Sequence, residues 1–432
     1  MAQLTIRNGR VIDPANHFDA VTDMVLEGGR VKKIGKVSRA SGAVFDAAGC
    51  IVTPGLIDPH VHLREPGQEN KETIASGSAA AVNGGFTSIC CMPNTSPALG
   101  DDARIEFVYR QAARAKLCNV YPVGAITKGR KGEELAEIGL MARAGAVAFT
   151  DDGCAVAAAG VMAKALRYVK MTGRAIMQHC EEPTLTGGAS MNAGEVATRL
   201  GLGGWPRVAE ELIIQRDVML NESVGCRYHV QHLSSAGSVD IIRRARKAGQ
   251  PVTAEVSPHH LLLTEDCCAA YDTNYKMNPP LRSKADIKAL LKGVQDGTIT
   301  ILATDHAPHT KQDKEVDFAS AAFGIVSLDV ALGLYAKALI ESGTIDWPAM
   351  IAMMTANPAA LCGLADKGTL GEGVDADVTI IDPAASHTIN LDDFAGQGRN
   401  CPFHGWQVPA TPIATIVGGT IRMNRDKGRL KR

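Results

Sequence analysis

The run Leu56-Ile57-Asp58-Pro59-His60-Val61-His62-Leu63-Arg64 decides how the rest of the chain is read. It follows a Pro54-Gly55 turn, begins apolar and ends in two histidines one residue apart. Side chains on a β-strand alternate between faces, so His60 and His62 point the same way. Their separation along the strand, about 7 Å, lets both imidazoles close on one metal ion. Asp58 and Arg64 place charge along the same line.

From Pro54 onward, apolar strands alternate with Ala-rich helical stretches, among them the helix-period segments 155–171 and, with fewer alanines, 207–221. Eight strand candidates follow in order: 56–62, 87–92, 120–125, 147–150, 175–178, 228–231, 252–256 and 299–303. Eight such repeats predict a (β/α)8 barrel of the TIM type, an α/β fold with its active site at the carboxyl ends of the strands. A doubly wound open sheet is the alternative, but no G-x-G-x-x-G follows the first strand. Before the barrel lie short strands, with Asn8-Gly9 and Gly28-Gly29 as hairpin signals. After Leu361 the β pattern returns at 376–382 and 413–421, with Gly418-Gly419 as another turn. The two ends of the chain are expected to pair into a small β-sandwich, giving a discontinuous domain of 1–53 and 366–432 beside a barrel of 54–365. The basic tail 427–432 reads as a solvated end.

Of 432 residues, 45% are hydrophobic and 21% charged, with a net charge of -1, an ordinary globular balance. That charge implies no broad attraction to nucleic acid or to an anionic membrane, so substrate charge must be met locally. No apolar run reaches the ~18–20 residues of a membrane helix, and the amino terminus lacks a signal-peptide layout. Eleven cysteines without a C-x-x-C pair read as reduced, mostly buried thiols. The expectation is a cytoplasmic protein.

Strand four runs into Thr150-Asp151-Asp152, strand five into His179 and strand six into His232. Strand eight runs into Thr304-Asp305-His306, with His309 close behind, and strand two into Met92-Pro93-Asn94. A lone histidine after a strand is usually structural, but here His60, His62, His179, His232 and Asp305 are all expected at one face. A carboxylate from strand four can bridge two ions. Such a set is too large for one tetrahedral zinc and natural for a two-metal site with ~3.5–4 Å between ions.

In that order of ligands the chain resembles the amidohydrolase superfamily. The stretches 58–67, 92–95, 149–153, 278–282 and 304–309 resemble the bacterial class I dihydroorotases within it. Asn357-Pro358-Ala359 and Lys367-Gly368 extend the likeness, which runs from Asn8-Gly9 to Gly418-Gly419. The resemblance implies two Zn2+ ions: His60, His62 and Asp305 on one, His179 and His232 on the other, bridged by a hydroxide and by Asp152. Asp152 is favoured over Asp151 by its spacing to His179 and stands where hydantoinases and allantoinases carry a carboxylated lysine. The implied reaction is reversible hydrolysis of dihydroorotate to N-carbamoyl-L-aspartate, a step of pyrimidine biosynthesis. Two metals acidify the attacking water, and Asp305 takes its proton and passes it to the leaving ring nitrogen.

The substrate's carboxylate needs a cationic fork, and Arg64 supplies one. By resemblance Asn94 and His309 assist it, His62 touches the substrate, and Asn278 with the backbone of Phe323-Gly324 holds the ring. Against this, Arg64 could pair with Glu65 or Glu69, and Asn278 could be a turn residue before Pro279-Pro280. His259-His260 are read as packing residues, His306 as pointing away from Asp305, and His229 as lacking a chemical partner. The polar segment 310–322 is either a lid or an exposed loop. A homodimer, with aspartate transcarbamoylase as a partner, belongs to the family's pattern. The rivals are another cyclic amidohydrolase and a non-catalytic partner protein that would have lost its ligands.

Overall fold

The computed structural model describes residues 3–431. Eight parallel strands close into a barrel. Leu56–Val61 pairs with Phe86–Cys91, which pairs with Asn119–Pro122. Ala148–Phe149, Ala175–Gln178, Arg227–Val230, Val252–Val256 and Ile301–Leu302 form the remaining ladder in chain order. Single parallel bridges, Gly124 to Phe149 and Val61 to His306, complete the ring. All eight expected strands are present, but the fourth and eighth ladders are only two residues long.

Side chains replace the missing rungs. Asp151 accepts from the amides of Ile126 (2.8 Å) and Thr127 (3.0 Å), which joins strands three and four. Asp58 accepts from the Thr304 amide (3.2 Å) and hydroxyl (2.6 Å), which joins strands one and eight. Buried carboxylates at both seams thus hold strand ends that cannot continue as regular ladders. Helices such as Asp102–Ala115 cover the barrel, burying Ile105, Val108 and Ala112 at helical spacing and starting at an Asp101 cap. No helix among the described residues is long and apolar enough to cross a membrane.

The β-rich part is one forked nine-stranded sheet. Leu4–Asp13 is long enough to pair with Phe18–Glu27 on one side and with both Ala43–Asp46 and Ile51–Pro54 on the other. Ile51–Pro54 then pairs with Val378–Thr388, so the two ends of the chain share the sheet. Residues of both wings, among them Phe45, Met24, Val378 and Ile416, form one apolar core.

Gly28-Gly29 and Gly418-Gly419 are hairpin turns with positive φ at each glycine. Asn8-Gly9 is not. Asn8 has φ 62° and marks a bulge inside a continuous strand, its amide held by Asp23 (3.1 Å). The basic tail is also not free: Leu430–Lys431 pairs with Ala43–Asp46, and Arg429 donates to the Ala48 carbonyl at 2.9 Å.

Candidate active site

Because all eight strands are parallel, their carboxyl ends share one rim. There the Asp152 carboxylate sits among four imidazoles: His60 Nε2 at 3.4 Å, His62 Nε2 at 3.3 Å, His179 Nδ1 at 3.6 Å and His232 Nε2 at 3.5 Å. Asp305 Oδ1 approaches His62 Nε2 (2.9 Å) and His60 Nε2 (3.4 Å). Asp151 is turned away into the strand-three seam, so of the two adjacent carboxylates only Asp152 reaches this centre.

The outward nitrogens explain which way the inner ones face. His60 Nδ1 donates to Glu255 (2.5 Å), His62 Nδ1 to Asn94 Oδ1 (2.8 Å) and His179 Nε2 to Glu181 (3.1 Å). With those protons directed outward, the inner nitrogens present lone pairs to a carboxylate that is itself an acceptor. His60 Nε2 and Asp152 Oδ1 are buried without a hydrogen-bond partner. Buried acceptors facing one another are stable only with cations between them, so this donor set fits a metal centre. His60, Asp152 and His232 form one close group and His60, His62 and Asp305 another, both able to hold a metal ion.

A pocket of about 250 Å³ opens above this cluster. Its wall carries His62, Arg64, Asn94, Asp152, His179, His232, Asn278, Asp305, His309, Phe323 and Gly324. His60 is fully buried beneath it. Gly153 and Ala307 also line the pocket and were not anticipated. Arg64 is buried, with Nε donating to the Pro308 carbonyl (3.2 Å), and burial lowers its pKa to about 10, so it stays charged at neutral pH. Asn278 donates to Glu181 Oε2 (3.1 Å), the same oxygen that receives the His179 proton. Arg64, His232 and Asp305 all have positive φ, a concentration of backbone strain found at functional sites. Gly324 has φ 148°, and a Cβ there would lie 2.7 Å from the Ala307 carbonyl oxygen, so only glycine brings this backbone to the pocket.

Several residues escaped the sequence reading. Glu255, a lone acid in an apolar strand, receives protons from both His60 and His229 (2.9 Å) and from the His232 amide (3.2 Å). His229 therefore does have a partner. Only the isolated charge in V-T-A-E-V hinted at this role. Glu255→Gln is expected to weaken metal retention by about 10–100-fold, measured by chelator competition, because the amide cannot accept both imidazole protons. The segment 310–322 is docked rather than loose: Lys314 is buried and donates to the carbonyls of Lys276 (3.3 Å), Ala322 (2.8 Å) and Gly324 (3.1 Å). His306 turns from the pocket toward Glu72, 3.6 Å away.

A barrel that gathers imidazoles around a buried carboxylate at its carboxyl rim defines a metal-dependent hydrolase of the amidohydrolase class. Residues 49–238 match the family model described as dihydro-orotase-like, and residues 236–422 that described as amidohydrolase family. The chain is 48% identical over 422 residues to a dihydroorotase of Pelotomaculum thermopropionicum, covering 98% of each. It is 49% identical over 422 residues to a dihydroorotase of Syntrophotalea carbinolica, covering 97% of this chain and 98% of the relative. Among solved structures, the L-hydantoinase of Arthrobacter aurescens superposes with a TM-score of 0.88 at 25% identity, over 99% of this chain and 97% of that one. The chain belongs to the dihydroorotase family.

Proposed function

We propose that the chain catalyses the reversible hydrolysis of L-dihydroorotate to N-carbamoyl-L-aspartate with two zinc ions. The observation that supports this most is the Asp152 carboxylate within 3.6 Å of four imidazoles, under a pocket wall that carries Arg64. His60, His62 and Asp305 would hold one ion, His179 and His232 the other, with Asp152 shared. When bound, the ions supply Lewis acidity and bring the pKa of a water down toward ~7.

The chain's own groups do the rest. Asp305 takes the proton of the attacking water at a carboxylate oxygen and hands it to the ring nitrogen as the amide bond breaks. Arg64, oriented by Pro308, binds the substrate carboxylate, with Asn94 and His309 beside it. Asn278 and the backbone at Phe323-Gly324 lie against the ring, and the docked segment 310–322 limits water entry. Arg64→Met is expected to raise KM about 100-fold with a smaller change in kcat, as loss of a bidentate charged contact predicts. The reading extends to a cytoplasmic homodimer, with 1–53 and 366–432 as one domain and 54–365 as the other, and with aspartate transcarbamoylase as a partner. Light scattering alone and with that enzyme tests the assembly.

The decisive assay follows ultraviolet loss of L-dihydroorotate, with zinc content measured on the same sample and hydantoin, allantoin and dihydrouracil run in parallel. Turnover of dihydroorotate with about two zinc ions per chain supports the reading. Full metal with turnover only of another cyclic amide overturns the substrate, and a metal-free, inert protein overturns the enzyme.

A further inference from the structure

Lys71 lies in the loop between the first barrel strand and the helix Ile74–Asn83, outside every motif singled out above. Its side chain is 19% exposed and turns inward, placing Nζ 3.5 Å from His309 Nδ1 and 3.3 Å from Asp313 Oδ2. On the other edge of the ring, His309 Nε2 lies 2.8 Å from the Phe323 carbonyl oxygen. A carbonyl only accepts, so the proton is on Nε2 and Nδ1 is left as a lone pair. An ammonium only donates, so Lys71 faces that lone pair with the matching polarity.

We propose that Lys71 is a positioning residue that keeps His309 neutral, with its single proton on Nε2 and donated to Phe323. The order thus set passes from Lys71 through His309 to the Phe323-Gly324 backbone that lines the pocket. A proton added at Nδ1 would face the ammonium head on. Without Lys71 it would instead face Asp313 Oδ2, 3.7 Å away, and form an imidazolium–carboxylate pair that turns the ring toward the 310–322 segment. The charged groups around the ring are Arg64, with Nη2 at 3.4 Å from Nε2, together with Lys71, Lys314 and Asp313. Burial first, then the Arg64, Lys71 and Lys314 charges, bring the His309 pKa down to about 2. A ring turned toward Asp313 would leave its place beside Arg64 on the pocket wall; a neutral His309 held by the Phe323 carbonyl keeps it there.

The proposal rests on the reading of His309 as a pocket-wall residue, but its test does not require turnover. Nitrogen NMR of histidine-labelled full-length protein, with the His309 signal assigned by difference from His309→Asn, reads the protonation of Nδ1 directly. In the wild type, Nδ1 is expected to stay unprotonated down to about pH 5. In Lys71→Met and Lys71→Gln it is expected to protonate at a higher pH than in the wild type, because one opposing charge is gone while burial and Arg64 remain, and in Lys71→Arg to return to the wild-type state. With L-dihydroorotate, both uncharged variants are expected to raise KM about tenfold at pH 6 and leave kcat within about twofold, with Lys71→Arg restoring KM. Two uncharged variants and a thermal melt of each guard against a folding defect in one. An Nδ1 titration in folded Lys71→Met and Lys71→Gln that matches the wild type overturns the proposal. Inactivity of the wild type toward dihydroorotate would overturn the substrate reading and leave the NMR result standing.

Discussion

Asp152→Ala is expected to empty the barrel of bound metal and to lower turnover by at least about a thousandfold, while the fold persists. The magnitude follows from the several kcal/mol of charge stabilisation that a metal pair contributes, each 1.36 kcal/mol being about tenfold in rate. The site depends on Asp152 because its carboxylate is the contact common to His60, His62, His179 and His232. Without it, imidazole lone pairs that Glu255, Asn94 and Glu181 direct inward lose the anion that balances two cations. The neighbouring carboxylate is the control. Asp151→Asn keeps the oxygen that accepts from the Ile126 and Thr127 amides but puts an NH2 where the Thr127 hydroxyl donates, so it is expected to cost about 1–3 kcal/mol of stability with metal retained. Metal analysis and thermal melts on both variants separate the two. An Asp152→Ala protein that keeps two ions and wild-type turnover would refute the bridging role.

Asp305→Asn is the second large effect. The amide keeps the size of the side chain and an oxygen to face His62, now at 2.9 Å, but it cannot take and return a proton. Turnover is expected to fall about 100- to 10,000-fold, the range of general acid–base catalysis, with KM changed only a few-fold. The measurement is kcat normalised to bound metal. Wild-type kcat at full metal content would remove Asp305 from the proton path and leave it a ligand only.

The rim residues were legible because their positions follow from local rules. A strand period of two puts His60 and His62 on one face, and a parallel barrel brings every strand's carboxyl end to one rim. Residues that directly follow strands, such as Asp152, His179, His232 and Asp305, therefore meet without further information about the tertiary structure. Asn8-Gly9 misled for a related reason: a dipeptide that favours positive φ serves a bulge as well as a hairpin, and only the partner strand decides between them.

What the sequence by itself determined, then, is the order of strands, the rim they share and the residue types gathered there. Which groups stand behind those residues was decided by the tertiary structure. Glu255 lies 195 residues from His60, and Lys71 lies 238 residues from His309. The choice between Asp151 and Asp152, left to a register argument, became a matter of which carboxylate the seam between strands three and four consumes. Lys314 reads as one more charge in a polar loop until three carbonyls are seen to close around it. Hydrogen-bond partners of buried polar groups are set by which distant segments pack together, and that has no period for a sequence to display.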